Sequence, residues 1–363
     1  MVASDTLLQA LTAVIDPNTG KPLATSKSVK NLQINGADVA FDVELGYPAK
    51  SQFVALREAL ISAAKTVPGI DNVSVNVRSV IAAHSAQMGV ALLPNIKNVI
   101  AVASGKGGVG KSTTAVNIAL ALAQEGAIVG ILDADIYGPS QSMMMGINDR
   151  PLSEDGTTMK PLENYGVQVM SMGFLVEPDD AMIWRGPMAV QALEQLLRKT
   201  NWKALDYLII DLPPGTGDIH LTLSQKIPVT GAVVVTTPQD IALLDARKGV
   251  KMFEKVGVPI LGVVENMAVH VCSQCGNAEH IFGQGGGEKM AQDYHLPYLG
   301  ALPLDINIRL QADGGKPSVV ADPNGDIAGL YKSVARKIAI AVAGMAKDHS
   351  AKLSGISINR APN

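Results

Sequence analysis

The sequence predicts an α/β fold, a mostly parallel sheet with helices on both faces, preceded by a small α+β domain. Three observations predict it. From Asn98 onward, short apolar runs alternate with helical segments, the pattern of a parallel sheet covered on both sides. One strand-to-helix junction in that stretch is a glycine-rich loop. Residues 1–80 read differently, as a short helix, a strand pair around a turn, a second helix and a third strand.

In chain order, Thr6 to Val14 predicts an amphipathic helix that stops before Asp16-Pro17-Asn18. Val29 to Ile34 and Val39 to Leu45 are strand-like and flank the turn signal Asn35-Gly36. Gln52 to Ala64 carries Phe53, Leu56, Leu60 and Ile61 at helical spacing, and Val73, Val75 and Val77 alternate as a strand. This unit has no cysteine and little clustered charge, so it reads as a packing or docking element. Residues 81–97 lack a sustained period and read as a linker. In residues 98–345, Val99–Ala103, Ile128–Leu132, Val167–Ser171, Tyr207–Ile210, Ala232–Thr236, Ile260–Val264 and Leu299–Leu302 are the expected buried strands. A final helix runs from Asp326 to Met345, and residues 346–363 form a polar tail.

Composition narrows the function. The chain has 363 residues, 47% hydrophobic and 4% aromatic, enough for a large core and unlike a disordered chain. Its net charge of −3 argues against non-specific nucleic-acid binding, which needs a strongly basic surface. No run is apolar enough to suggest a membrane span, and the first residues lack a signal-peptide pattern. Two cysteines cannot staple so long a chain, so they are expected to be reduced and chemical, which favours the cytoplasm.

Gly105-Lys106-Gly107-Gly108-Val109-Gly110-Lys111-Ser112 fits the phosphate-loop pattern G-x4-G-K-[ST], with a strand before it and a helix after it. Glycines let successive backbone N–H groups turn toward phosphate oxygens, and the helix N-terminus adds partial positive charge. Lys111 is expected at the β- and γ-phosphates and the Ser112 hydroxyl at Mg²⁺, with Thr113 among the nucleotide-binding residues. Tyr207 to Asp211 is an apolar strand ending in a carboxylate, which places Asp211 in the Mg²⁺ shell. Asp133 and Asp135 follow the strand Ile128–Leu132, where a cap or loop carboxylate is the bland alternative. Asn266 follows the strand Ile260–Val264, where an ordinary turn asparagine is the alternative.

Cys272-Ser273-Gln274-Cys275-Gly276 lets two sulfurs face one ion. Four readings compete: a disulfide, thioredoxin-like redox chemistry, a zinc site recruiting His270 and His280, and half of a four-thiolate site. A [4Fe–4S] cluster takes four cysteines, and a two-fold axis duplicates the pair.

The second loop lysine, Lys106, resembles the deviant Walker A ATPases, in which it reaches across a nucleotide-sandwich dimer. The set formed by GKGGVGKS, Leu132–Ser140, Ile183–Met188, Asp211–Asp218, Thr236–Asp240, Asn266–Gly276 and Ile281–Ala291 resembles the bacterial Mrp/ApbC iron–sulfur cluster carriers. The resemblance covers most of Asn98 to about Ile340, and the N-terminal unit is similar to the small iron–sulfur assembly domain that precedes such ATPases. It implies catalytic roles for Lys106, Lys111, Asp135 and Asp211. Asp135 would position the attacking water, Asp133 would support the metal site, and Asn266 would read the adenine edge. It further implies ATP-binding homodimers with a labile [4Fe–4S] cluster bridged by Cys272 and Cys275 of both copies and delivered to apo iron–sulfur proteins. Two other classes stay open: a MinD/ParA-like positioning ATPase acting on membrane or DNA, and a zinc-bridged dimer.

Overall fold

The structure is a computed structural model that describes residues 4–86, 90, 93–175 and 186–347. Within Ile183–Met188, residues 183–185 lie outside the described residues, as does most of the expected tail.

The N-terminal unit contains α1 (Ser4–Leu11), β1 (Val29–Asn35), β2 (Asp38–Leu45), α2 (Phe53–Ala64) and β3 (Asn72–Ser79). β1 and β2 pair antiparallel across Asn35-Gly36, and β3 returns parallel to β2 after the α2 crossover. Alternation along β2 buries Val39, Phe41, Val43 and Leu45 against α1 and α2, where Leu7, Leu11, Leu56 and Leu60 are also buried.

The larger unit opens with β4 (Val99–Ala103), α3 (Lys111–Gln124), β5 (Val129–Asp133), α4 (Gln141–Met144), β6 (Leu162–Asn164) and β7 (Val167–Ser171). It continues through α5 (Gly186–Lys199), β8 (Tyr207–Asp211), α6 (Asp218–Lys226), β9 (Gly231–Thr236), α7 (Asp240–Lys255) and β10 (Ile260–Glu265). Two short strands, β11 (His270–Val271) and β12 (Ala278–Glu279), precede α8 (Gly286–Asp293), β13 (Tyr298–Ala301), α9 (Ile306–Asp313), α10 (Ser318–Ala321) and α11 (Asp326–Ala343).

Eight strands form one sheet in the order β13-β10-β9-β4-β8-β5-β7-β6. All neighbours are parallel except the edge pair β6–β7. Every residue of β4, β5, β7, β8 and β9 is buried, as expected of strands covered on both faces. The expected α/β fold with its small preceding sheet unit is therefore present, and β6 is an addition to it. α11 buries Tyr331, Val334, Ala335, Ile338, Ala339 and Val342, and it packs on α3 and β13. Its apolar face is spent on this core, and no described helix is long and apolar enough to cross a membrane.

The two units meet at Glu125, which follows the last turn of α3 and is buried. Its carboxylate accepts from the Ser51 backbone N–H at 3.0 Å, the Ser51 hydroxyl at 2.7 Å and Arg336 Nη1 at 2.7 Å. Its carbonyl accepts from Lys50 N–H at 3.1 Å. A buried carboxylate is stable only when paired and hydrogen-bonded in this way.

Candidate functional site

The sheet brings the predicted nucleotide residues together because β8 lies between β4 and β5. The phosphate loop leaves β4, Asp211 ends β8 and Asp133 ends β5, and the two aspartates are register partners. Both are buried.

The loop conformation explains its glycines. Gly110 has φ +80°, and a Cβ there would run into the Asn266 side chain. A Cβ at Gly105 would run into the Asp245 backbone of α7. Only glycine fits both places. Val109 is buried beneath the loop, and Lys106 stands exposed on it. Gly107 and Gly108 are also exposed. Gly110 is the N-cap of α3, so the first free N–H groups of that helix open toward the loop.

Lys111 is buried. Its ammonium donates to Asp211 Oδ1 in a tight ion pair and to Ser112 Oγ at 3.1 Å. Thr113 sits half-buried in the first turn, and its carbonyl accepts from Asn117 Nδ2 at 2.9 Å. Asp133 is held differently. Its Oδ2 accepts from Ser140 N–H at 2.8 Å, Gln141 N–H at 3.0 Å and Ser171 Oγ at 3.1 Å, and its Oδ1 from Asp135 N–H at 3.2 Å. Three of these four bonds tie the 135–141 loop to the end of β5. Burial and the charge of Asp211 push the Asp133 carboxyl up from the usual range, against the pull of the N–H donors. Asp135 is half-buried and its carboxyl is also raised, first by burial. Gly138 N–H donates to it at 3.3 Å.

Gln141 belongs to this site and went unread in the sequence, one position beyond the motif ending at Ser140. It is fully buried, and its Nε2 donates to Asp211 Oδ2 at 2.8 Å and to the Ser112 carbonyl at 3.1 Å. A glutamine opening a four-residue helix reads as a surface residue; only the fold carries it 70 positions to Asp211.

The residues fit a magnesium ion held with a nucleotide. The donor set is hard oxygen, namely Ser112 Oγ and the Asp211 carboxylate, and two buried polar atoms beside it, Gln141 Oε1 and Ser140 Oγ, have no protein partner.

β10 joins the loop to the cysteines. At its end, Asn266 Nδ2 donates to the Val109 carbonyl at 2.9 Å, so the side chain touches the phosphate loop itself. Glu265, one residue earlier, accepts from Gly287 N–H at the start of α8. Met267 then takes a left-handed conformation, φ +56°, and turns the chain toward the β11–β12 hairpin. The CxxC turn caps that hairpin: Cys272 N–H donates to the Asn277 carbonyl at 2.9 Å, and Gly276 N–H to the Cys272 carbonyl at 2.8 Å. Both cysteines are free thiols, Cys275 exposed and Cys272 partly so. N–H groups of Gln274 and Cys275, then the Cys275 thiol and His270, hold the Cys272 thiol below the usual range.

Both thiols are free in the structure, and no single-chain zinc set is assembled among the described residues. His270 Nδ1 and His280 Nδ1 bond to the carbonyls of Leu304 and Ala268, at 3.0 and 2.7 Å. Among the described residues no group of three or more His, Cys, Asp or Glu is placed to hold a metal. Among the described residues, the hairpin thus offers two sulfurs without an assembled third ligand.

Fold and loop together define a nucleotide-binding P-loop NTPase with an extra lysine in its loop. A family model described as NUBPL iron-transfer P-loop NTPase matches residues 95–339, and one described as iron-sulfur cluster assembly protein matches residues 4–77. The iron-sulfur cluster carrier protein of Pseudomonas fragi is 60% identical over 275 residues, 75% of this chain and 96% of that protein. The protein of the same description from Synechocystis sp. is 44% identical over 348 residues, 93% of this chain and 98% of that protein. Among solved structures, a nucleotide-binding protein from Archaeoglobus fulgidus in complex with ADP is 35% identical with a TM-score of 0.55, covering 64% of this chain and 90% of that one. The chain belongs to the family of iron-transfer P-loop NTPases, whose curated members here are iron–sulfur cluster carriers.

Proposed function

We propose that the protein is an ATP-binding and ATP-hydrolysing iron–sulfur cluster carrier. It would hold a labile [4Fe–4S] cluster between two copies of the chain and pass it to apo iron–sulfur proteins in the cytoplasm. One observation carries this reading: β10 places Asn266 against the phosphate loop and, six residues later, a half-set of thiolates at the surface. Two sulfurs leave a four-iron cluster half-ligated, and a second copy supplies the missing pair with the same geometry.

The chain's own groups divide the nucleotide work. The loop amides, the N-terminus of α3 and Lys111 bind phosphate. Ser112 and Asp211 would hold Mg²⁺, which supplies charge neutralisation at the phosphates. Asp135 would orient the attacking water, and Lys106, exposed on the loop, would reach a partner's nucleotide. Domain boundaries at 80, 97 and 345 fit the same reading, with the small unit available to dock recipients.

Anaerobic reconstitution with iron and sulfide tests the proposal. The expected product is a brown dimer with about four irons for two chains. A colourless monomer, or zinc at one per dimer with no iron taken up, sinks it.

A further inference from the structure

Lys111 is claimed by two anions. In this structure its ammonium neutralises Asp211, yet the same group is the one expected at the nucleotide phosphates. When it turns to phosphate, Asp211 is left buried with Oδ1 unpaired, and a buried carboxylate in that state must gain another cation or a proton. Something must also keep the carboxylate from rotating while its partner changes.

Gln141 meets that need. Its Nε2 holds Asp211 Oδ2, the oxygen Lys111 does not use, and the Ser112 carbonyl at the start of α3. The amide orientation is fixed by chemistry, since a carboxylate and a carbonyl only accept and the atom facing them must be the NH₂. Its backbone N–H is tied to Asp133, which fixes where the side chain begins. Its Oε1 is buried without a protein partner, an acceptor left over in an otherwise satisfied cluster.

We propose that Gln141 is a positioning residue of the nucleotide–metal site. Nε2 clamps Asp211 by Oδ2 while Oδ1 passes from Lys111 to the metal shell, and Oε1 accepts from water accompanying the metal. This rests on the nucleotide reading given above. It adds a residue outside the phosphate loop and the strand-end carboxylates. Leucine or methionine at this position leaves the loop able to bind phosphate and removes the clamp.

The test measures binding of a fluorescent ATP analogue to the full chain, in EDTA and across a Mg²⁺ titration, for wild type, Gln141→Leu and Gln141→Met. Melting curves show which variants fold, and methionine, unbranched and of similar length, is the fallback for leucine. The wild type should bind in EDTA and tighten with Mg²⁺. The variants should still bind in EDTA, with the ratio of affinity in Mg²⁺ to affinity in EDTA lowered about tenfold, the scale of one hydrogen bond to a charged group. In an Asp211→Asn background, the Gln141 substitution should no longer change the Mg²⁺ response, a coupling that a merely structural role would not produce. A full Mg²⁺ gain in either folded variant overturns the proposal. A wild type that binds no analogue in either condition overturns the nucleotide reading and this proposal with it, and that result is distinct because it precedes any mutation.

Discussion

The end of β10 touches the phosphate loop through Asn266 and leads on to the cysteine hairpin, and the two sites are built on opposite plans. Around the loop, Lys111, Asp133, Asp211 and Gln141 are buried and bonded to one another. Around the cysteines, two-residue strands flank a turn whose sulfurs are exposed or partly so, and among the described residues no set of three ligands is in place. On the proposed reading, the difference marks where a second copy would be needed. A site whose charges are already compensated holds its geometry within one chain, whereas two sulfurs with no further ligand would be completed by a second copy.

The sharpest way to break this comparison is to remove the sulfurs. Cys272→Ser with Cys275→Ser should abolish iron binding entirely while leaving ATP-analogue affinity and melting temperature at wild-type values. Iron analysis, a visible spectrum and a melting curve check all three, and a loss of nucleotide binding would mean that the two sites are not separable. Lys111→Ala should act in the opposite place. It should cost about 100-fold in nucleotide affinity and, by stranding Asp211, roughly 3–5 kcal/mol of stability without nucleotide. That loss depends on pH. Burial, and then the charge of Asp211, raise the Asp133 carboxyl, so Asp133 holds a proton more tightly in the fold than in the unfolded chain. Stability from such a group is full in acid and drains away as pH rises from about 4 through the raised value. The variant should therefore melt closer to wild type at pH 5.5 than at pH 8.

Much of this was legible in the sequence. Buried parallel strands must be apolar throughout, so Val99–Ala103 and Val167–Ser171 lie where their composition put them. The final helix stops at Ala343, two residues early, because Gly344 serves as its C-cap. The first helix covers Ser4–Leu11, shifted toward the N-terminus. Edge strand β6 was invisible, since Leu162-Glu163-Asn164 has neither the length nor the alternation of a strand. Glu125 and Gln141 were invisible for another reason. Their partners, Ser51 and Asp211, lie 74 and 70 residues away, and a polar residue at a helix end looks solvent-facing until the fold supplies those partners.

Two smaller effects sharpen the contrast. Glu125→Ala should lower stability by about 3 kcal/mol, because it leaves Arg336 and Ser51 without their acceptor. Nucleotide affinity should stay within about twofold, as read by melting and analogue titration. At the hairpin, Cys272 should alkylate a few-fold faster than a free thiol near neutral pH, because its lowered value keeps more thiolate present. The rate should fall only when pH drops through that lowered value, and a mass-spectrometric time course at several pH values reads it.

Helix α3 has 14 residues and therefore spans about 21 Å. Its head rises out of the phosphate loop, and its foot is bolted through Glu125 to the smaller unit. The two units are thus not beads on a string. One stiff rod sets the attitude of the smaller body, so a tilt of a few degrees at the head arrives at the foot as a sideways step of about an ångström.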